Sequence, residues 1–288
     1  MSSPAVQPIL ALLAYPVGGN PMQYVVEKAF AHLNLDWRFL SLEVTPEGLA
    51  DALRGMRAMG FRGGTIADPH RRTILPLLDI ASNTAALLGS VNFVVGEENR
   101  LWGDNTEGRG LVEALRRATA PAGKRCLLLD AGELAQAVAV ELAAAGAAEI
   151  RIADPSLERA AAAAGSLAGK FPAAVSPLAW EGTFLVPEDI DVVIRADREY
   201  AVPAIQPHDA KTHLPVDAAS LRPELIVADL TVNTDEAWLL REAAARGCKT
   251  IDGLGVLVEQ MAVDFRLWTL HDPDRTLMRE AVEEFWEL

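Results

Sequence analysis

Short apolar runs alternate with longer amphipathic segments along this chain, and this alternation constrains the fold more than any other feature. An apolar run at 9–15 precedes an amphipathic segment at 21–33, and a later run at 125–130 precedes another at 132–144. Short apolar runs are typical of buried strands, and the longer segments are typical of helices. Strand and helix in alternation favour parallel sheets with crossover helices. The sequence therefore predicts a two-lobed, doubly wound α/β protein.

Composition excludes several other classes of protein. Half of the 288 residues are hydrophobic, which is enough apolar surface to offset the chain entropy that keeps other sequences disordered. The net charge of -14 has the wrong sign for a phosphate backbone, so we expect no nucleic-acid partner. No apolar run approaches the ~18 residues of a membrane span, so we expect no membrane partner. Cys126 and Cys248 lie in predicted strands and indicate no disulfide framework, which favours a reducing cytoplasm.

The turn that follows the apolar run at 125–130 is a candidate phosphate-binding loop. A glycine-rich turn between strand and helix lets a dinucleotide diphosphate approach the N–H groups of the helix N-terminus. Here the three-glycine pattern is reduced to Asp130, Ala131 and Gly132. Asp130 and Glu133 would place carboxylates near the diphosphate, each at a cost on the order of 1 kcal/mol or more. The turn therefore predicts either a weakened or rearranged cofactor site or an ordinary turn that binds none.

Asp154 bears on which cofactor is used. It ends the next predicted strand, roughly 20 residues beyond the turn, where an acidic residue accepts the ribose hydroxyls of NAD and repels the 2′-phosphate of NADP. We therefore expect NAD as the cofactor, with NADP less favoured. The alternative is that Asp154 only caps the helix that follows.

Several segments, in the order in which they occur, resemble the motifs of shikimate dehydrogenases. They are Gly60-Phe61-Arg62-Gly63 with Pro69-His70-Arg71, Gly89-Ser90-Val91-Asn92, Gly103-Asp104-Asn105-Thr106-Glu107-Gly108, and Asp252-Gly253-Leu254 with Gln260 and Phe265-Arg266-Leu267-Trp268. The resemblance spans nearly the whole chain. It implies an N-terminal α/β substrate domain, formed by 1–103 with 253–288, and a Rossmann-like doubly wound nucleotide domain at 104–252.

The resemblance also implies an activity and a set of site residues. Members of this family are NAD(P)-dependent oxidoreductases of aromatic amino acid biosynthesis that interconvert a ketone and an alcohol on a shikimate-like ring acid. The family's catalytic lysine falls on Arg71 and its partner aspartate on Glu107. A guanidinium stabilises an alkoxide but is a poor general acid, because it effectively never gives up its proton. The implied substrate-binding residues are Asn92, Asn105 and Gln260.

Hydroxyl groups that bind the substrate carboxylate in this family are missing here. The segment 16–21 holds no serine, and the family's threonine and tyrosine become Ala67 and Val232. Each lost donor would cost about 1–3 kcal/mol at a buried carboxylate site. Because these donors, the nucleotide glycines and the catalytic lysine are lost together, the alternative is a catalytically impaired relative that keeps the fold for ligand binding or regulation.

Three histidines are candidates for proton transfer or metal binding. His70, beside Arg71, is a candidate proton donor because imidazole titrates near neutral pH, or else an imidazole at the surface or the core edge. His208 and His213 flank Asp209 in a proline-rich loop at 196–221 and are interpreted as solvated, so we expect no metal. We expect the substrate to be a small molecule. We expect the protein to be a monomer or a homodimer.

Overall fold

The computed structural model describes residues 6–196, 216–232 and 238–288. The chain divides into two compact units: a first unit of Met1–Thr106 with Met261–Leu288, and a second unit of Glu107–Gln260. Most of the loop predicted at 196–221 lies outside the described residues. His208, Asp209 and His213 lie outside them too, and so does the start of the helix that the sequence pattern at 235–246 predicts.

The first unit contains a six-stranded sheet in the order β2-β1-β3-β5-β6-β4, in which β5 runs antiparallel to its neighbours β3 and β6. Its elements are β1 (Ile9–Ala14), α1 (Met22–His32), β2 (Arg38–Glu43), α2 (Leu49–Ala58), β3 (Gly63–Ile66), α3 (His70–Thr73), β4 (Ile80–Ala81), α4 (Asn83–Leu88), β5 (Phe93–Glu97) and β6 (Arg100–Asp104). The C-terminal helices are α9 (Gly253–Thr269), which enters this unit at Met261, and α10 (Arg275–Trp286).

Both faces of β1 are buried, which explains why this strand is apolar throughout. Alternate residues such as Ala11 and Leu13 belong to a core cluster with Leu53 of α2. Aromatic rings from α9 pack within the unit as well, with the Trp268 ring centroid 4.9 Å from that of Phe93. Strands that are buried on both faces are expected to form continuous apolar runs, as this one does.

The apolar pattern of 75–88 predicts a mostly helical segment, and the structure interrupts it with a short strand. After a short 3₁₀ turn at Leu75–Leu77, the chain forms strand β4 beside β6 and then helix α4. The carboxylate of Asp79 accepts a hydrogen bond from Leu101 N at 2.8 Å and pairs with Arg57. The Ser82 hydroxyl caps α4 by accepting from Ala85 N at 3.0 Å. These polar contacts hold the segment extended where apolar periodicity alone indicates a helix.

The second unit is a parallel six-stranded sheet in the order β12-β11-β10-β7-β8-β9. Its elements are α5 (Glu107–Ala118), β7 (Arg125–Leu129), α6 (Glu133–Ala144), β8 (Glu149–Asp154), α7 (Leu157–Leu167), β9 (Ala174–Ala179), β10 (Val192–Arg195), β11 (Ile226–Asp229), α8 (Trp238–Ala245) and β12 (Lys249–Asp252). The strand order reverses at β7, as in Rossmann sheets. The predicted α/β fold with a doubly wound nucleotide domain is confirmed.

Among the described residues, no helix is long and apolar enough to cross a membrane. In the same residues, no cluster of histidine, cysteine and carboxylate side chains is suited to hold a metal ion. Cys126 and Cys248 are free and buried, and burial raises the pKa of the Cys126 thiol to about 12.

Strand β3 approaches β1 so closely that one of its glycines has no room for a side chain. A Cβ added at Gly64 would lie 1.8 Å from the backbone oxygen of Ala11. We expect Gly64→Ala to lower the free energy of unfolding by about 3 kcal/mol, because the strands must separate to admit the methyl group. Urea unfolding followed by circular dichroism measures this change.

The matched control is Gly55→Ala in α2, where the added Cβ meets only the end of the Met59 side chain at 3.5 Å. Because alanine favours a helix over glycine, this variant should gain about 0.5–1 kcal/mol. Equal unfolding midpoints for the two variants would contradict the close approach of β3 to β1.

Candidate functional site

The turn between β7 and α6 brings together the residues predicted to bind a cofactor. Asp130 follows the last residue of β7 and has φ +151°, a backbone conformation that favours glycine. Its carboxylate accepts a hydrogen bond from Gly132 N at 2.9 Å. The aspartate therefore stabilises the turn with its own side chain at a position where the family pattern has glycine.

Asp154, at the end of β8, fixes the same turn from the neighbouring strand. It is 1% exposed. One carboxylate oxygen accepts from Ala131 N at 3.2 Å and the other from Ser156 N at 2.8 Å. The predicted Asp130, Ala131, Gly132 and Asp154 thus form one hydrogen-bonded group within the second unit. Both oxygens of this buried carboxylate thus bond to backbone N–H groups of the protein itself.

Arg159 joins this group and was missed by the sequence reasoning. Its guanidinium lies 3.4 Å from the Asp130 carboxylate and 3.5 Å from that of Asp154, while its side chain is 59% exposed. Arg159 is the third residue of α7, and side chains in a first helical turn point back toward the helix N-terminus. An arginine in the first turn of the helix that follows Asp154, five residues further on, is the sequence signal that could have identified this residue.

The residues of this turn fit a dinucleotide. Gly132 leads directly into α6, a helix of 12 residues whose N-terminus supplies N–H groups and a favourable dipole for a phosphate. A Cβ added at Gly132 would lie 2.6 Å from a carboxylate oxygen of Asp130, so a larger residue there would displace the carboxylate that holds the turn. The unfavourable charge of Asp130 is offset by Arg159. The predicted penalty from two uncompensated carboxylates is therefore smaller at Asp130 than the sequence alone indicates.

The two predicted asparagines lie close together in the first unit, and both are 2% exposed. The Asn92 amide donates to the Thr106 hydroxyl at 3.0 Å and accepts from Thr106 N at 2.8 Å. The Asn105 amide donates to Ser90 O at 3.3 Å. These amides hold the segment between β6 and α5 in place.

Arg71 and His70 are adjacent in α3 but have different surroundings. The Arg71 side chain is 17% exposed, and its Nε lies 3.6 Å from the Asp68 carboxylate. His70 is fully buried, and its Nε2 donates to Val44 O at 2.7 Å, since a carbonyl oxygen only accepts. His70 therefore lies in the core, which removes it as the candidate proton donor.

Glu107 and Gln260 lie in the second unit, so the structure assigns Arg71 and Glu107 to different units. Glu107 begins α5 and is 6% exposed, while Gln260 is partly buried in α9. Where α5 meets α9, a Cβ added at Gly110 would lie 2.9 Å from the Cβ of Gln260. The position of Gln260 is thus set by tight packing between these two helices.

Comparisons with known proteins agree with this architecture. A family model described as the shikimate dehydrogenase substrate binding domain matches residues 12–94. A shikimate dehydrogenase (NADP(+)) of Moorella thermoacetica is 37% identical over 279 residues, covering 96% of this chain and 92% of that protein. The chain belongs to the shikimate dehydrogenase family. It is therefore a nicotinamide-dependent oxidoreductase, and the resemblance seen in the motifs is confirmed.

Two similar solved structures belong to enzymes that are named for different substrates. The 5-ketofructose reductase of Gluconobacter sp. strain CHM43 is 35% identical, with a TM-score of 0.90 over 97% of this chain and 99% of that one. A shikimate 5-dehydrogenase from Listeria monocytogenes, in complex with shikimate and NAD, is 28% identical, with a TM-score of 0.84 over 97% and 98% of the two chains. Members of this family with different named substrates thus share its fold.

Proposed function

We infer that this protein interconverts a ketone and an alcohol on a shikimate-like, polyhydroxylated small molecule, with a nicotinamide dinucleotide as the redox partner. The observation that carries this inference is full-length similarity, 37% over 96% of the chain, to a named shikimate dehydrogenase. The alternative of a catalytically impaired relative gains no support from these comparisons, because the relatives are named as dehydrogenases and reductases.

Two substrate classes compete for the same site. A shikimate-like ring acid is the substrate that family membership favours. A neutral polyhydroxylated ketone is favoured by the missing hydroxyl donors, since Ala67 and the serine-free segment 16–21 offer none. The similarity to a reductase named for 5-ketofructose, a sugar with no carboxylate, supports the second class. An anionic substrate would need donors that these positions lack.

Within this scheme we assign roles to the site residues. Hydride transfer is the chemistry that the dinucleotide supplies when bound. Arg71 stabilises negative charge on the reacting oxygen without donating a proton, and Glu107 takes the role of the family's aspartate. Gln260 orients a substrate hydroxyl. Asn92 and Asn105 act through their hydrogen bonds to Thr106 and Ser90, which position the segment that leads to Glu107.

A substrate panel tests this function. Purified protein is assayed with NADPH and with NADH against 3-dehydroshikimate and 5-ketofructose. Because the hydroxyl donors are missing from 16–21 and from position 67, kcat/KM for the neutral ketone should exceed that for the ring acid at least tenfold, since each donor is worth about 1–3 kcal/mol. The reverse ratio would assign the ring acid. Turnover of neither ketone, nor of the corresponding alcohols, would refute the ketone–alcohol assignment.

Arg71 is tested in the same assay by Arg71→Gln. Loss of a preorganised cation at a developing oxyanion should lower kcat by about 100-fold. Arg72→Gln is the matched control, because it removes the same charge from the adjacent, exposed position. The control should keep kcat within about twofold, in line with other surface substitutions. Equal losses in the two variants would remove Arg71 from the catalytic set.

The cofactor choice depends on which charged group faces solvent. Asp154 alone indicates NAD, but its carboxylate is buried, whereas the Arg159 guanidinium beside it is exposed. A guanidinium binds phosphate through charge-assisted hydrogen bonds. The Moorella and Methanopyrus kandleri relatives are both named for NADP(+). We therefore propose NADP as the preferred cofactor.

Arg159→Gln tests this proposal. Removal of one phosphate-binding guanidinium should raise the Kd for NADPH about tenfold and leave the Kd for NADH within twofold, as fluorescence titration would measure. Arg116→Gln, an exposed arginine of α5, is the control and should change neither constant. An unchanged NADPH constant in Arg159→Gln would return the preference to NAD.

We propose a cytoplasmic location, with the protein a monomer or homodimer. The free, buried thiols of Cys126 and Cys248 suit a reducing compartment.

A further inference from the structure

An ion pair is buried at the carboxyl ends of β10 and β11. Arg195, the last residue of β10, lies beside its register partner Asp229, the last residue of β11. The guanidinium and the carboxylate are 3.4 Å apart, and their side chains are 12% and 0% exposed. The second oxygen of Asp229 accepts from Thr231 N at 3.1 Å and from the Thr231 hydroxyl at 2.7 Å. Asp229 is thus held by several donors, and it in turn orients Arg195.

Stability alone does not account for this pair. Removing two charges from water costs several kcal/mol for each ion, and well-packed apolar residues commonly replace a buried pair with no loss of stability. The rest of β10 is apolar, since Val192, Val193 and Ile194 precede Arg195. A fourth apolar residue would complete the strand. The arginine is therefore better explained by a ligand than by the core.

The position of Arg195 in the sheet indicates which ligand. Its other register partner is Leu129, the last residue of β7, directly before the turn at Asp130. The strand order reverses between β7 and β10, and dinucleotides bind across the crevice at such a reversal. Asp154 and Arg159 follow from β8, on the opposite side of β7. If those two residues mark the adenosine half, Arg195 lies on the side of the nicotinamide half.

We propose that Arg195 binds the diphosphate and nicotinamide ribose of the cofactor, with Asp229 as its positioning residue. The charges agree with this assignment. The turn carries Asp130 and Glu133, and the diphosphate adds negative charge, so a cation on each side of β7 stabilises the bound cofactor. Arg159 provides the cation on the β8 side, and Arg195 provides it on the β10 side. This inference rests on the proposed function, because it assumes that a dinucleotide binds the second unit.

Two cofactor fragments separate the two halves of the site. Adenosine 2′-monophosphate carries the adenosine end alone, and nicotinamide mononucleotide carries the other end with one phosphate. Their Kd values are measured by displacement of fluorescent NADPH from the full-length protein. The principal variant is Arg195→Gln with Asp229→Asn, which removes both charges, keeps a polar side chain at each position and leaves no unpaired carboxylate in the core. Thermal unfolding reports whether the variant is folded.

We expect the double variant to raise the Kd values for NADPH and nicotinamide mononucleotide about tenfold, and to leave that for adenosine 2′-monophosphate within twofold. Arg159→Gln should show the opposite pattern. If the double variant is folded and binds nicotinamide mononucleotide like the wild type, the proposal is overturned. Equal weakening of both fragments would also overturn it, because that result indicates general damage to the unit.

Arg195→Lys decides the question if the double variant does not fold. It keeps a positive charge opposite Asp229 but replaces the planar fork with a compact ammonium. We expect at least a threefold rise in the Kd for nicotinamide mononucleotide alone, and an unchanged value would overturn the proposal. Failure of the proposed function looks different, because the wild-type protein would then bind neither NADPH nor NADH.

Discussion

Parallel strand pairing in the second unit gathers the carboxyl ends of six strands at one edge of the sheet. The charged groups that bear on the cofactor lie at or just beyond these ends: Asp130 after β7, Asp154 and Arg159 after β8, and Arg195 with Asp229 on β10 and β11. Side chains far apart in sequence become neighbours because the strands are in register. The chemistry of this unit thus depends first on backbone hydrogen bonds between parallel strands, and only then on side chains.

Negative charge at this edge is compensated locally. Asp130 occupies a glycine-type backbone conformation, which costs of order 1–3 kcal/mol for another residue. Its hydrogen bond with Gly132 N and its contact with Arg159 offset that cost. Asp130 lacks the conformational freedom of glycine, but its carboxylate connects the turn to α7 through Arg159. A carboxylate that sequence reasoning treats as an obstacle to a diphosphate is, in the structure, part of a charge-paired turn.

The sequence predicts the elements that are buried on both faces and misses those that depend on polar contacts. Strand β7 and helix α6 were predicted within a residue or two of Arg125–Leu129 and Glu133–Ala144, because burial makes each of them apolar. Strand β9 was missed because it is an edge strand, half-exposed and interrupted by Pro177. Arg159 was missed for a similar reason, since no periodicity records which charges meet across a turn.

The site residues show what motif matching leaves out. Motif matching places Asn92 and Asn105 in the family pattern and predicts that both bind substrate, and it does not predict their partners within the protein. The structure shows their amides bonded to Thr106 and Ser90 in a buried segment. His70 was considered for proton transfer because of its neighbour Arg71, yet it donates to Val44 O in the core. A sequence match specifies that a polar residue is required, whereas only geometry distinguishes a backbone partner from a ligand.

This distinction also explains how the chain keeps the family scaffold while its ligand-facing residues differ. Asn92 and Asn105, which match the family motifs and have described partners, bond to the protein itself and preserve the local backbone geometry. The residues that differ, in 16–21 and at Ala67 and Arg71, are those whose hydroxyl or ammonium groups would face a ligand in the family pattern. Replacing a polar group that supports the backbone leaves its buried partner unpaired, which costs about 1–3 kcal/mol. Such groups therefore resist change in any member that folds. Ligand-facing groups carry no such cost once the ligand changes. A chain can therefore keep the scaffold of a dehydrogenase and still bind a substrate with different charge.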